Sequence, residues 1–158
     1  MGNKQNLEKM RSSVWRLFLT THLRVIDRIE AKLAEAELPS LEWYDVLLTL
    51  KESPEYRLRL SDLADKVLLS RSNLTRLIDR LEKAGLLYRQ RCPTDRRGTF
   101  AVLTPQGLTM QKRMWPVYAE GIVEYFACHM NDSEVSVIQE VMERMLAAAK
   151  ESQNVMVS

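Results

Sequence analysis

Histidine and cysteine are scarce in this chain, with two of each among 158 residues. Cys92 and Cys128 form no CxxC pair and have no nearby pair of histidines, so their spacing supports neither a zinc site nor a disulfide framework. Reduced thiols are the expectation. Glycine and proline number only five each, which excludes collagen-like and low-complexity chains. No apolar run approaches the roughly 20 residues a membrane span needs. The start, "MGNKQNLEKMRSS", lacks the apolar centre of a signal peptide, and Asn6 stands where a myristoylation signal favours Ser or Thr. A cytoplasmic location follows as an expectation. There is no nucleotide-binding glycine loop, nucleophile elbow or helix with metal-ligand spacing. Asp62 and Asp65, or Glu140 and Glu143, are explained by cap and helix-surface roles. The chain therefore reads as no enzyme, with no cofactor and no metal.

What is present is an ordinary globular composition, 46% hydrophobic and 28% charged, at a length that suits one domain with extensions. Its net charge of +2 is unevenly spread. From Ser70 to Gly98 there are eight basic residues against three acidic ones, a net +5, which leaves the remainder at −3. A basic segment inside an otherwise acidic chain suits a phosphate-binding surface as well as a solvated helix face.

The hydrophobic pattern predicts a mainly helical fold. Leu7, Met10, Val14, Leu17, Phe18, Thr21, Val25, Ile29 and Leu33 recur at three- and four-residue steps, predicting one helix that Pro39 closes. A helix of roughly 30 residues spans about 45 Å, longer than a small domain is wide, so part of its apolar stripe calls for a partner. Ser40 is expected to cap a second helix carrying Trp43, Val46, Leu47 and Leu50. After a short extended run, "YRLRL", Ser61 and Ser70 are expected to cap two short helices. Gly85 suits the left-handed stop of the second. "LLYRQR" and "GTFAVL" predict a β-hairpin with its turn in "CPTDRR". Thr104 and Pro105 open a further helix, extending to Met130 with a kink at Pro116. Asn131 or Asp132 caps the last one.

Helix, turn, helix, hairpin is the order of a winged helix-turn-helix. The second short helix offers Arg71, Ser72, Asn73, Thr75, Arg76 and Arg80 between its buried leucines. Arginine can bond guanine bidentately, asparagine can read adenine, and hydroxyls suit base edges or phosphates. Arg80, Arg89 and neighbouring bases are better placed for phosphates, which position a protein without reading sequence. At the hairpin tip Asp95 precedes Arg96 and Arg97. An arginine entering a minor groove loses side-chain entropy, and a carboxylate that holds it in place lowers that cost. Asp95 is read as orienting Arg97, with Arg96 on the backbone. The alternative is an exposed ion pair that shapes the turn and contributes about 0–1 kcal/mol.

The stretch from "LSDLADKVLL" through "SRSNLTRLIDRLEKAGLLYRQRCPTDRRGTFAVLTPQG" resembles the MarR family of bacterial transcriptional regulators. The carrying motifs are D-x-R at Asp95 and Arg97 and LT-x-x-G at Leu103 to Gly107. The resemblance implies a homodimer that binds a pseudo-palindromic duplex and acts as a repressor released by a small aromatic or phenolic effector or by oxidation. It implies residues 1–38 and 104–150 as a helical dimerisation region, 39–103 as the DNA-binding domain with recognition helix Arg71 to Ala84, and 151–158 as a flexible tail. An effector pocket would draw on Trp15, His22, Trp43 and Trp115, with Arg16 or Arg24 for an anion. Helically spaced aromatics are more often core. Oxidation-sensing members carry a cysteine near the start of the first long helix, which this chain lacks. Cys92 lies among Arg89, Arg91 and Arg96, a setting that favours the thiolate. The runner-up reading is a winged-helix module that holds a protein partner, with only residual DNA affinity.

Overall fold

The computed structural model describes residues 2–68, 73–95 and 98–155, with side chains described between 6 and 150. It divides into two compact units, Met1–Gly121 and Ile122–Ser158. Helix α1 (Gly2–Glu35) is the long helix that the three- and four-residue spacing predicts. Only its C-terminal end meets the core, through Ile29 and Leu33, while Val14, Leu17 and Leu23 are more than 60% exposed. Helix α2 (Leu41–Lys51) follows, with Leu41, Tyr44, Val46, Leu47 and Leu50 buried. Ser40 occupies its cap position but its hydroxyl makes no capping bond. Glu30 does the capping instead, its Oε1 accepting the Leu41 N–H at 2.9 Å. A carboxylate at a helix N-terminus also complements the helix dipole.

"YRLRL" becomes a third strand. β1 (Arg57–Arg59) joins β2 (Leu87–Arg91) and β3 (Thr99–Leu103) in an antiparallel sheet ordered β1-β3-β2. The two-stranded hairpin expected from sequence is thus widened, with Arg59 opposite Phe100 and Gln90 opposite the same residue from the other side. Helix α3 (Leu60–Lys66) begins straight out of β1 with Arg59 at the cap position, so Ser61 lies inside the helix rather than capping it. The extended backbone of Arg59 turns directly into the first helical residue and leaves no room for a separate cap.

Helix α4 (Leu74–Lys83) buries Leu77, Ile78 and Leu81 and presents its remaining faces outward. Full burial of such side chains contributes roughly 1.5–3 kcal/mol each. The expected cap Ser70 lies outside the described residues. Gly85, at φ +74°, ends the helix as predicted. Leu86 N–H donates to the Leu81 carbonyl at 3.0 Å and Gly85 N–H to that of Glu82 at 2.9 Å, the paired bonds of a Schellman stop.

Helix α5 (Pro105–Tyr125) continues through Pro116 as one element and ends before Met130, with a 3-10 turn at Ala127–His129 in place of its last turn. Thr104 caps it, Oγ1 accepting the Gly107 N–H at 3.0 Å and donating to the Gly85 carbonyl at 2.7 Å. The second unit is dominated by α6 (Asp132–Val155). Its cap is Asn131, whose Oδ1 accepts the N–H groups of Ser133 and Glu134 while Glu134 returns a bond to the Asn131 N–H. This reciprocal pattern is a capping box. Helical geometry continues to Val155, past residue 150 where the tail was expected to begin. Among the described residues no helix is long and apolar enough to cross a membrane.

Gly107 is the closest approach of α5 to the loop that ends α4. A Cβ there would lie 2.0 Å from the Leu86 carbonyl oxygen and 2.6 Å from Leu103 Cδ1. The Leu86 oxygen is backbone and is held in place, because it also receives the Thr104 N–H. Gly107→Ala is expected to cost about 3 kcal/mol of unfolding free energy, read from urea melts. A variant as stable as the parent contradicts this packing.

Candidate nucleic-acid interface

The burial of Leu77, Ile78 and Leu81 determines which side chains of α4 reach solvent. Asn73, Arg76, Arg80 and Lys83 follow one another at three- and four-residue steps and are all exposed, so they form one row. Thr75 and Asp79 are exposed on the flank, and Glu82 is half-buried there. A cleft of about 590 Å³ lies beside this row, lined from α3 by Leu60, Ser61 and Ala64, from α4 by Asn73, Thr75 and Arg76, and from β2 by Arg89. A second, shallower groove of about 480 Å³ is lined by Asn73, Arg76, Asp79 and Arg80. Of the residues expected from sequence, the structure therefore brings Asn73, Thr75, Arg76 and Arg80 to one outward surface. Arg71, Ser72, Arg96 and Arg97 lie outside the described residues.

Arg89 differs from the expectation. Its guanidinium is forked between two carboxylates of α4, Nη2 to Asp79 Oδ1 and Nη1 to Glu82 Oε2, each at 2.5 Å, and its N–H donates to Glu82 Oε1 at 2.8 Å. A guanidinium compensated on both sides has little field left for a phosphate. Its position instead ties β2 to α4. Burial works against the Arg89 charge, but the hydrogen bonds to Asp79 and Glu82 outweigh it and hold its pKa above the ordinary value. The Arg89 N–H, followed by its side chain, holds the Glu82 carboxyl below the ordinary carboxylate pKa. Sequence spacing could not reveal this fork, since residues 79, 82 and 89 meet only when the strand folds back along the helix.

The wing loop is closed by its own backbone. Cys92 N–H donates to the Gly98 carbonyl at 2.8 Å, and Gly98 N–H to that of Asp95 at 3.0 Å. Asp95 Oδ2 accepts from Arg59 Nη1 at 3.1 Å, a partner on β1 that sequence reading missed. The Arg59 guanidinium also lies over the Phe100 ring, 5.5 Å from its centroid. Cys92 is half-buried, with its sulfur 3.3 Å from the Thr94 hydroxyl. Hydrogen bonds from the Thr94 side chain and backbone lower the thiol pKa, and Arg59 adds to the effect.

The residues named for an effector pocket are spread over α1, α2 and α5. Trp15 is exposed on α1 and stacks on Phe18 at 6.0 Å. His22 is exposed on the same helix, and Trp43 is half-buried on α2. Trp115 belongs to a separate group with Tyr44 and Tyr118, at centroid distances of 6.3 and 6.1 Å. The buried end of this group is polar: Gln111 donates to the Tyr44 hydroxyl at 3.2 Å and accepts from Lys51 Nζ at 3.0 Å. Burial raises the pKa of Tyr44 and Tyr118, which keeps both phenols protonated.

Comparison with known proteins places this geometry among relatives. The family model described as MarR family matches residues 40–99. The HTH-type transcriptional regulator MhqR of Bacillus subtilis is 35% identical over 95 residues, covering 60% of this chain and 65% of that protein. The chain thus spans slightly less than two thirds of the length of that curated relative. Among solved structures, Sco3205 of Streptomyces coelicolor, a MarR family transcriptional regulator in complex with DNA, is 30% identical with a TM-score of 0.79, covering 87% of this chain and 86% of that one. AbsC, a MarR family transcriptional regulator from the same organism, is 28% identical with a TM-score of 0.79, covering 89% and 94%. These relatives are transcriptional regulators, a non-enzyme family.

The Arg89 fork has a pH signature. A carboxyl held below its ordinary pKa contributes stability that is fully present above about 4.5 and is lost as pH falls through the folded value. Glu82→Gln is expected to lower the thermal midpoint by a few degrees at pH 7, with the gap to the parent closing as pH falls below about 4.5. A gap independent of pH contradicts an ionised Glu82 at this position.

Proposed function

The chain belongs to the MarR family, and on that premise we propose that it is a homodimeric, sequence-specific DNA-binding transcriptional regulator, acting as a repressor that a small ligand releases. The observation that carries this reading is the row Asn73, Arg76, Arg80 and Lys83 on the outward face of α4. Arginine and asparagine supply the hydrogen-bond forks that major-groove base edges match. Arg80 and Lys83, toward the helix end, serve phosphates, and Arg71 and Ser72, which precede the row in the sequence, join the reading of the duplex. In the wing, Arg96 serves the backbone and Arg97 the minor groove, as the D-x-R motif implies. The DNA complex of Sco3205 supports the assignment.

Dimerisation accounts for the apolar surface of α1. Val14, Trp15, Leu17, Phe18 and Leu23 are each about half or more exposed on one helix, and a patch of that kind marks an association surface. α6 exposes Val137, Met145 and Leu146 in the same way. A two-fold pair of wings and recognition helices would read half-sites one helical turn apart, which explains a pseudo-palindromic operator. The effector reading rests on the Tyr44, Trp115 and Tyr118 group, whose flat faces, with buried Gln111 and half-buried Lys51, suit an aromatic anion. The protein-partner alternative finds no comparable support, since a row of arginine and asparagine is built for nucleic acid.

Two measurements test this. The logarithm of the affinity for a duplex selected from a random pool is expected to fall with the logarithm of salt, with a slope of about −0.9 per phosphate neutralised. Arg76→Ala is expected to cost about 1–3 kcal/mol and relax preference at one position. Salt-independent binding, or a variant equal to its parent in a mobility shift, rejects the reading. For assembly, Leu17→Glu is expected to halve the mass measured by light scattering at micromolar protein. An unchanged mass removes α1 from the interface.

A further inference from the structure

We propose that Arg59 is a positioning residue of the wing: it governs DNA affinity by holding Asp95, without itself touching the nucleic acid. The inference rests on the DNA-binding reading above and adds a residue outside both the recognition helix and the D-x-R motif. Arg59 ends β1 and lies opposite Phe100 of the central strand. From there its Nη1 reaches Asp95 Oδ2 at 3.1 Å, across 36 positions of sequence. The contact is made at the loop itself. A Cβ on Gly98 would lie 3.1 Å from Arg59 Nη1 and 3.2 Å from Asp95 Oδ2, so the ion pair packs directly against the Gly98 backbone. Gly98 and Asp95 are also joined through the backbone. Arg59 therefore bonds one of the two residues that flank positions 96 and 97 in the sequence and packs beside the other.

The guanidinium is fixed from its other side as well. Arg59 and Arg57 lie over the same Phe100 ring, at 5.5 and 5.3 Å from its centroid. Arg57 is paired with Glu55. Among the described residues, each of these two cations is thus paired with a carboxylate. The arrangement acts through geometry. An exposed ion pair contributes little to global stability, yet it restricts the loop to the orientation in which an arginine at its tip meets the groove with less entropy to lose.

The test uses the full chain and a duplex enriched from a random pool by the parent protein. Arg59→Ala is expected to weaken binding about tenfold, with the slope of log affinity against log salt unchanged. Asp95→Asn is expected to weaken it at least as much, and the double variant no more than Asp95→Asn alone, because both substitutions remove one interaction. Arg59→Lys, which keeps charge and reach, is expected to recover part of the loss. Should Arg59→Ala lose its helical far-ultraviolet signal, Arg59→Lys and Asp95→Asn carry the comparison. An affinity unaffected by Arg59→Ala overturns the proposal, as do additive losses. A slope shallower by about 0.9 overturns it too, since Arg59 is then a phosphate contact. If the parent enriches no duplex, the DNA-binding reading falls, and this inference with it.

Discussion

A guanidinium shared between a strand and a helix holds the candidate interface together. Arg89 reaches from β2 to Asp79 and Glu82 on α4, and so relates the wing to the helix that would enter a groove. Its energetic contribution to folding is small, because Asp79 is 60% exposed and surface pairs are screened. Its value is angular. Two hydrogen bonds from one planar group fix a direction as well as a distance, and a reading head is useful only if its two parts hold a set spacing.

The same logic recurs at the far side of the sheet. Arg59 binds Asp95 as Arg89 binds Asp79 and Glu82, so the hairpin is braced at its root and near its tip. Both braces consume positive charge. Within the segment from Ser70 to Gly98, Arg89 is thus internal structure, and among the described residues Arg76, Arg80, Lys83 and Arg91 face outward. Counting charges along the sequence does not show that Arg89 is already paired. Beneath the sheet, the α5 start is locked to the α4 stop through Thr104, Gly85 and Gly107. A displacement of α5 would therefore be felt at the base of the wing.

Much of this was legible beforehand. The apolar spacing of α1, the glycine that ends α4, the Thr104 and Pro105 start of α5 and the branched residues of β2 and β3 are local signals, and each appears in the structure where the residues place it. The exceptions share a cause. Ser40 and Ser61 look like caps, but Glu30 caps α2 from another helix and α3 starts directly from β1. "YRLRL" reads as an extended run, yet its pairing with β3 depends on a partner 41 to 45 positions away. Arg89 reads as a phosphate contact until the chain brings it back along α4.

Residue types and their periods were sufficient to define the helices, the hairpin, the outward row on α4 and the exposed stripe of α1, because each depends on neighbours within one or two turns. Which cation meets which carboxylate depended on the fold. Asp95 and Arg59, Arg89 and Glu82, and Gln111 and Tyr44 meet across 7 to 67 positions, and chain closure over such distances leaves no local trace. Charge is readable from a sequence as a quantity. Its direction, and whether it is already neutralised, is a property of the packed chain.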